Sequence, residues 1–271
     1  MPAFPVYVPL GPLALHPHAV FESLAYLVGF RLYVWLRGRG GDTIAETQRW
    51  AVIAAATLGA AAGSKLISLA SDPGGTAAHL SDVRSLIGGK SIVGGLIGGL
   101  IAVELVKRWQ GVRRATGDLF AIPLAAGIAV GRVGCFLSGL EDETHGLPAG
   151  LPWAIDFGDG IARHPTQLYE IVFLALLTAW LGWRLCRPHA EGDAFKGFMM
   201  GYLGFRLGLE FLKPGVLLGG LNVIQWACAA TLLYYAQYYV RQYLRQNAAF
   251  ATRGWWGGLR ALPRSGETAH G

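Results

Sequence analysis

The chain is 271 residues long, 53% of them apolar and only 15% charged, with a mean hydropathy of +0.39. Soluble domains carry roughly 25% charged residues, so this composition argues against a soluble globule and against disorder. The net charge of +6 raises nucleic acid as a partner, but the placement of the basic residues accounts for it through membrane topology, and no nucleic acid is expected.

The first stretch, MPAFPVYVPLGPLAL, holds four prolines and no Lys or Arg. It lacks the basic opening of a signal peptide and predicts an extended or interfacial arm. Seven apolar stretches follow, at about 19–36, 50–70, 86–106, 118–138, 167–186, 197–213 and 221–240. A bilayer-crossing helix needs roughly 20 apolar residues. Any one stretch alone would suit a buried helix of a soluble protein, but seven in series with so few charges argue otherwise. Gly and Ala recur inside them, as in GAAAGSKLISLA and VGGLIGGLIA, and small residues let membrane helices approach closely. The expected fold is all-α and polytopic, with about seven transmembrane helices and an outer-face loop between spans four and five. A single transmembrane domain is expected over 1–245, with a cytoplasmic tail over 246–271.

Basic residues in short loops set orientation. Segments 37–49, 107–117, 184–196 and 241–271 hold 15 of the 23 Lys and Arg. The alternate segments 1–18, 71–85 with Lys90, 139–166 and 213–220 hold 4. The amino terminus is therefore expected outside and the carboxyl terminus in the cytoplasm. Trp255 and Trp256 in the tail suit a membrane interface. Cys135, Cys186 and Cys228 are scattered and form no CxxC pair, so their spacing gives no case for a disulfide framework or a zinc site.

Arg31, Lys65, Arg132 and Arg206 lie inside the apolar stretches. An ionised Arg there costs about 2.5–3.5 kcal/mol on insertion scales, so its head needs a cavity, an acid or an anion. Arg31, near a span end, can snorkel to the interface. Arg132 lies a turn or two from the outer end of span four. Arg206 is deeper, with a salt bridge to Glu210 at i+4 as its structural alternative. Two guanidinium groups near the outer face suit a lipid phosphate, because the planar fork matches phosphate oxygens. Span five opens with RHPTQLYE (163–170), which offers a helix amino terminus to an anion, with Pro165 near its first turn. His164 is either a cap or a proton-transfer group. Tyr169 and Tyr202 are interface anchors or site groups. Gly94, Gly95, Gly98 and Gly99 are packing residues, or they let a lipid come close to backbone.

The ordered set GGLIGG (94–99), GRVG (131–134), RHPTQLYE (163–170) and GYLGFRLGLEF (201–211) resembles the prolipoprotein diacylglyceryl transferase family, in a diverged form. GPLALH and YLVGF near span one extend the likeness. The resemblance implies a seven-span enzyme of the bacterial inner membrane, with a periplasmic amino terminus. It would move the diacylglyceryl group of phosphatidylglycerol onto the lipobox cysteine of an exported lipoprotein precursor, with no cofactor and no metal. By the same resemblance Arg132, Arg206, Tyr202 and His164 are catalytic. Arg163, Gln167, Tyr169, Gly94, Gly95, Gly139 and Glu210 bind substrate. The chain departs from the family at Val93, where His is common before Gly-Gly, and at Cys135, Ser138 and Leu140, where Asn, Asn and Glu are usual. Those departures leave two alternatives: a paralogue with another acceptor or donor lipid, or a non-catalytic phospholipid-binding membrane protein.

Overall fold

A computed structural model describes residues 4–40, 42–74 and 89–259, with side chains to residue 241. Among the described residues the chain is mostly helical: α1 (Pro17–Gly40), α2 (Glu46–Ser71), α3 (Ile92–Trp109), α4 (Asp118–Ser138), α5 (Thr166–Leu185), α6 (Asp193–Leu209) and α7 (Val223–Leu259). The chain divides into two units, Met1–Thr231 and Leu232–Gly271. All site residues below belong to the first.

The helices follow the seven apolar stretches, with shifts at spans three, six and seven. The expected start of span three at 86–88 lies outside the described residues; α3 begins at Ile92, where Ser91 Oγ accepts from the Gly94 N–H at 3.2 Å, an N-cap. Span six moves four residues towards the amino terminus. Asp118 accepts from the Gly192 and Phe195 N–H groups at 2.6 and 3.0 Å and fixes that end. At the other end Glu210–Leu212 tighten into a 3-10 turn and Lys213 turns extended, as the residue before Pro214 must. Span seven continues as helix to Leu259, into the stretch expected as the cytoplasmic tail.

The helices α1, α2, α4 and α5 are long and apolar enough to cross a membrane. α3 carries Glu104, Lys107 and Arg108 near its end, and α6 is only 17 residues long. Large side chains such as Leu58, Leu66 and Leu176 point outward at 67–72% exposure, a surface suited to hydrocarbon.

Two helix pairs approach through glycine. A Cβ at Gly94 would stand 2.3 Å from Gly63 O, and one at Gly98 would stand 2.3 Å from Gly59 O. The repeats Gly59-xxx-Gly63 and Gly94-xxx-Gly98 thus bring the α2 and α3 backbones into contact. In α4, a Cβ at Gly134 would lie 2.7 Å from Phe21 Cβ and 3.2 Å from Pro17 O, which brings the start of α1 onto the end of α4. Phe173 of α5 stacks on Phe205 of α6 at 4.1 Å between ring centroids.

The amino-terminal arm forms a hairpin, with β1 (Val8–Leu10) antiparallel to β2 (Leu13–Leu15) and Gly11 at φ +59° between them. Phe4 packs edge-on against Phe136 and Phe157, and the Val6 N–H donates to Leu137 O at 2.8 Å. The α4–α5 loop carries a second short hairpin, β3 (Ile155–Asp156) and β4 (Ala162–Arg163). Asp156 Oδ1 closes its turn by accepting from the N–H groups of Gly158, Asp159 and Gly160.

Candidate functional site

The site is built around Glu170, one turn into α5. Helical spacing puts Glu170 on the inward face with Thr166, and both are fully buried. A buried carboxylate costs several kcal/mol unless it is paired, and three side chains from two other helices pair it. Tyr202 Oη donates to Oε1 at 2.6 Å, and Arg206 Nη1 donates to Oε2 at 2.9 Å. Arg132 Nε of α4 lies 2.8 Å from the same Oε2. Tyr202 and Arg206 stand at i and i+4 on α6, so one helix face delivers both. The Arg206–Glu210 pair raised above is also present, through Nη2. Glu210 in turn accepts from Asn222 Nδ2 at 3.1 Å.

Arg132 and Arg206 therefore meet in one buried cluster, 6% and 4% exposed. Their charges are matched by Glu170 and Glu210, yet donor capacity is left over. Arg206 Nε is buried without a hydrogen-bond partner, and Arg132 Nε faces Glu170 without the alignment of a hydrogen bond. Arg132 Nη1 reaches only Cys135 Sγ, at 3.6 Å. Lys213, just past the end of α6, lies within Coulombic reach of both arginines and both carboxylates. Such a cluster is poised to exchange internal partners for an anion.

The remaining sequence-derived residues sit around this core at different removes. Gln167 Nε2 donates to Thr144 Oγ1 at 3.1 Å, and its buried Oε1 has no partner. His164 Nδ1 lies 3.3 Å from Tyr169 Oη, which also accepts from Trp153 Nε1 at 2.8 Å. Arg163 is held on β4, where Nη1 and Nη2 each donate to Asp159 at 2.6 Å. That double hydrogen bond holds the Asp159 carboxyl down at about 2. Gly94 and Gly95 lie against α2, and Gly139 takes φ +64° with Phe4 packed over it. These three positions are packing sites in this structure, and Val93 beside Gly94 is fully buried.

Two groups escaped the sequence reading. Glu170 stands at the end of RHPTQLYE, and its signal was the one that flagged the arginines: an ionisable residue in an apolar run. His18, Cys135 and Asp142 come together with ligand atoms all within 4.8 Å of one another. Their separation along the chain hid them, because convergence of α1, α4 and the following turn is not written in any spacing. Beside Cys135, Phe136 and Leu137 line an apolar cavity of about 510 Å³ together with Phe4, Val6 and Ile155.

The sequence profile of the prolipoprotein diacylglyceryl transferase family matches residues 5–241. The chain belongs to this family. A phosphatidylglycerol–prolipoprotein diacylglyceryl transferase of Bordetella avium is 36% identical over 237 residues, covering 82% of this chain and 88% of that one. Proteins of the same name from Nitrosomonas europaea and Cupriavidus metallidurans are each 30% identical, covering 87% and 91% of this chain and 90% and 96% of theirs. The family match spans α1 to α6, every helix that carries a site residue named above.

Proposed function

We propose that this chain transfers the diacylglyceryl group of phosphatidylglycerol to the lipobox cysteine of exported lipoprotein precursors, in the bacterial inner membrane. The observation that carries this reading is the meeting of Arg132 and Arg206 at Glu170, in a chain of this family. All seven helices would span the bilayer as one transmembrane domain over 1–245, with the amino terminus periplasmic and residues 246–271 cytoplasmic.

The chemistry fits the charges. The acceptor thiol loses its proton, since the thiolate is the nucleophile. Its sulfur forms a bond to the glyceryl carbon of the donor that bears the phosphate. The carbon–oxygen bond breaks, and glycerol phosphate leaves with the electron pair. The phosphate changes from a monoanionic diester to a more negative monoester, so charge grows on its oxygens. Arg132 and Arg206 hold those oxygens, and groups aimed at developing charge are often the largest catalytic contribution. Glu170 yields its guanidinium contacts as the donor enters and keeps its bond to Tyr202, while Glu210 keeps Arg206 oriented. His164 passes the proton released by the thiol on to water. Arg163, Gln167 and Tyr169 hold the loop and the head group, and Gly94, Gly95 and Gly139 act through the close packing they permit.

The test uses purified protein with labelled phosphatidylglycerol and a lipobox peptide. A diacylglyceryl mass gain on the peptide cysteine with release of glycerol phosphate supports the reading; neither event, under conditions where a close family member is active, overturns it. A second reading keeps the reaction class and changes the acceptor or donor lipid. It is favoured by Val93, which is buried and cannot move a proton where the family commonly carries His. Lipids and lipoproteins of a deletion strain separate the two.

A further inference from the structure

Outside the arginine cluster, one group among the described residues combines three metal-ligating side chains of different type. His18 opens α1, Cys135 is in the last turn of α4, and Asp142 ends the 3-10 turn that follows. Gly134 is what lets them meet, because a Cβ there would stand 3.4 Å from His18 Cα and 2.7 Å from Phe21 Cβ. His18 Nδ1 pairs with Asp142 Oδ1 at 2.8 Å, an internal contact that an ion drawn between them would replace. The three ligand atoms lie within 4.8 Å of one another, close enough to share one ion.

The surroundings repeat the pattern that orients metal ligands, in which a ligating His presents its other nitrogen to a carboxylate and a ligating carboxylate is itself hydrogen-bonded. His18 Nε2 faces Glu22 Oε2 at 3.5 Å, and Glu22 accepts from Lys90 Nζ at 2.6 Å and Tyr26 Oη at 3.1 Å. Asp142 Oδ2 accepts from Thr144 Oγ1 at 3.0 Å, and Thr144 O accepts from Thr166 Oγ1 at 2.8 Å, which ties the group to the start of α5. The charges balance too: one thiolate, one carboxylate and a neutral imidazole offset a divalent ion.

The geometry points to a zinc site made by His18, Cys135 and Asp142, whose fourth position takes the acceptor thiol. Three protein ligands with one open position is the arrangement of catalytic zinc, and a thiol that coordinates it gives up its proton. This deepens the transferase reading and rests on it. Arg132 Nη1 is 3.6 Å from Cys135 Sγ, so a sulfur held on the ion lies beside the phosphate-binding guanidinium. The Cys135 and acceptor thiols each release a proton to water as the ion binds them. The acceptor sulfur then bonds to the glyceryl carbon, and the electron pair of the broken carbon–oxygen bond leaves on glycerol phosphate. The ion supplies the thiol activation that Val93 cannot. The site was invisible to the cysteine arithmetic because its ligands share no motif.

The experiment measures metal on the full chain in detergent, without lipid, after chelation and reloading with Zn²⁺ or Co²⁺. One equivalent of zinc per chain is expected, and the cobalt form should show a near-ultraviolet thiolate band with tetrahedral visible bands. Cys135→Ser and Asp142→Asn should each abolish the equivalent, while Cys186→Ser, at an exposed cysteine outside the cluster, should keep it. Thr144→Val, which leaves all three ligands, should weaken binding about 10–100-fold. A lipobox peptide should shift the cobalt visible bands, and its serine version should not. Sub-stoichiometric metal in the native chain, or a thiolate band that survives Cys135→Ser, overturns the site. Metal bound with no peptide-induced shift overturns its role towards the acceptor. Turnover by the metal-free protein overturns the inference and leaves the transferase reading standing; metal bound in a protein with no turnover does the reverse.

Discussion

Glu170 holds the site together at the scale of single residues, because two guanidinium groups and a phenol converge on its two oxygens. Removing one partner from a buried ion pair typically costs about 3–5 kcal/mol. Glu170→Ala should therefore lower stability by about that amount in detergent unfolding, and Glu170→Gln, which keeps the shape and a hydrogen bond to Tyr202, by clearly less. Equal stability of the alanine variant and the native chain would contradict the pairing. The Asp159–Arg163 pair of the β3–β4 hairpin makes a pH prediction. The folded carboxyl is held at about 2, below its unfolded value, so the contribution is present above roughly pH 4 and is lost as pH falls towards 2. Amide exchange across 156–163 should rise in that window, and the rise should vanish in Asp159→Asn. Arg132 and Arg206 were legible in the sequence because a guanidinium among apolar neighbours demands a reason. Glu170 made the same demand but read as part of a helix start. His18 and Asp142 made none, since each lies near the end of an apolar run where a polar side chain is ordinary.

At the scale of elements, hydropathy located the helices closely, and α4 coincides with its expected range of 118–138. The shift of α6 depended on Asp118, 74 residues before its partner at Gly192, and no local pattern reports such a bond. The two hairpins were missed for a related reason: their strands are only two or three residues long, too short for alternation to register. The glycine pattern of GGLIGG carried two meanings in the sequence, and the contacts with Gly59 and Gly63 of α2 supply the packing one. Gly98→Leu would drive a side chain into the Gly59 carbonyl. Overpacking costs about 1–3 kcal/mol where side chains can adjust, and backbone adjusts less. Thermal unfolding in detergent should show a loss of at least that size, whereas Gly208→Leu, where a Cβ meets nothing within 4 Å, should change little.

For the whole molecule, the distribution of basic residues and the positions of the site groups agree. The ends of α4 and α6, the starts of α1 and α5, and the α4–α5 loop all fall on the side poor in Lys and Arg. Reporter fusions should read periplasmic after Lys213 and cytoplasmic after Arg187; the opposite pair would invert the topology and separate the site from an exported acceptor. Burying the arginines against carboxylates at that face makes sense if a phosphate periodically takes the place of Glu170. The most direct measurement is turnover of labelled phosphatidylglycerol with a lipobox peptide by the native chain, Arg132→Ala and Arg206→Ala, each checked for folding. Loss of one donor aimed at developing charge costs about 10²–10³ in rate, so the account predicts thioether formation by the native chain and a fall of that size in each variant. Full native-level transfer by either folded variant would contradict it.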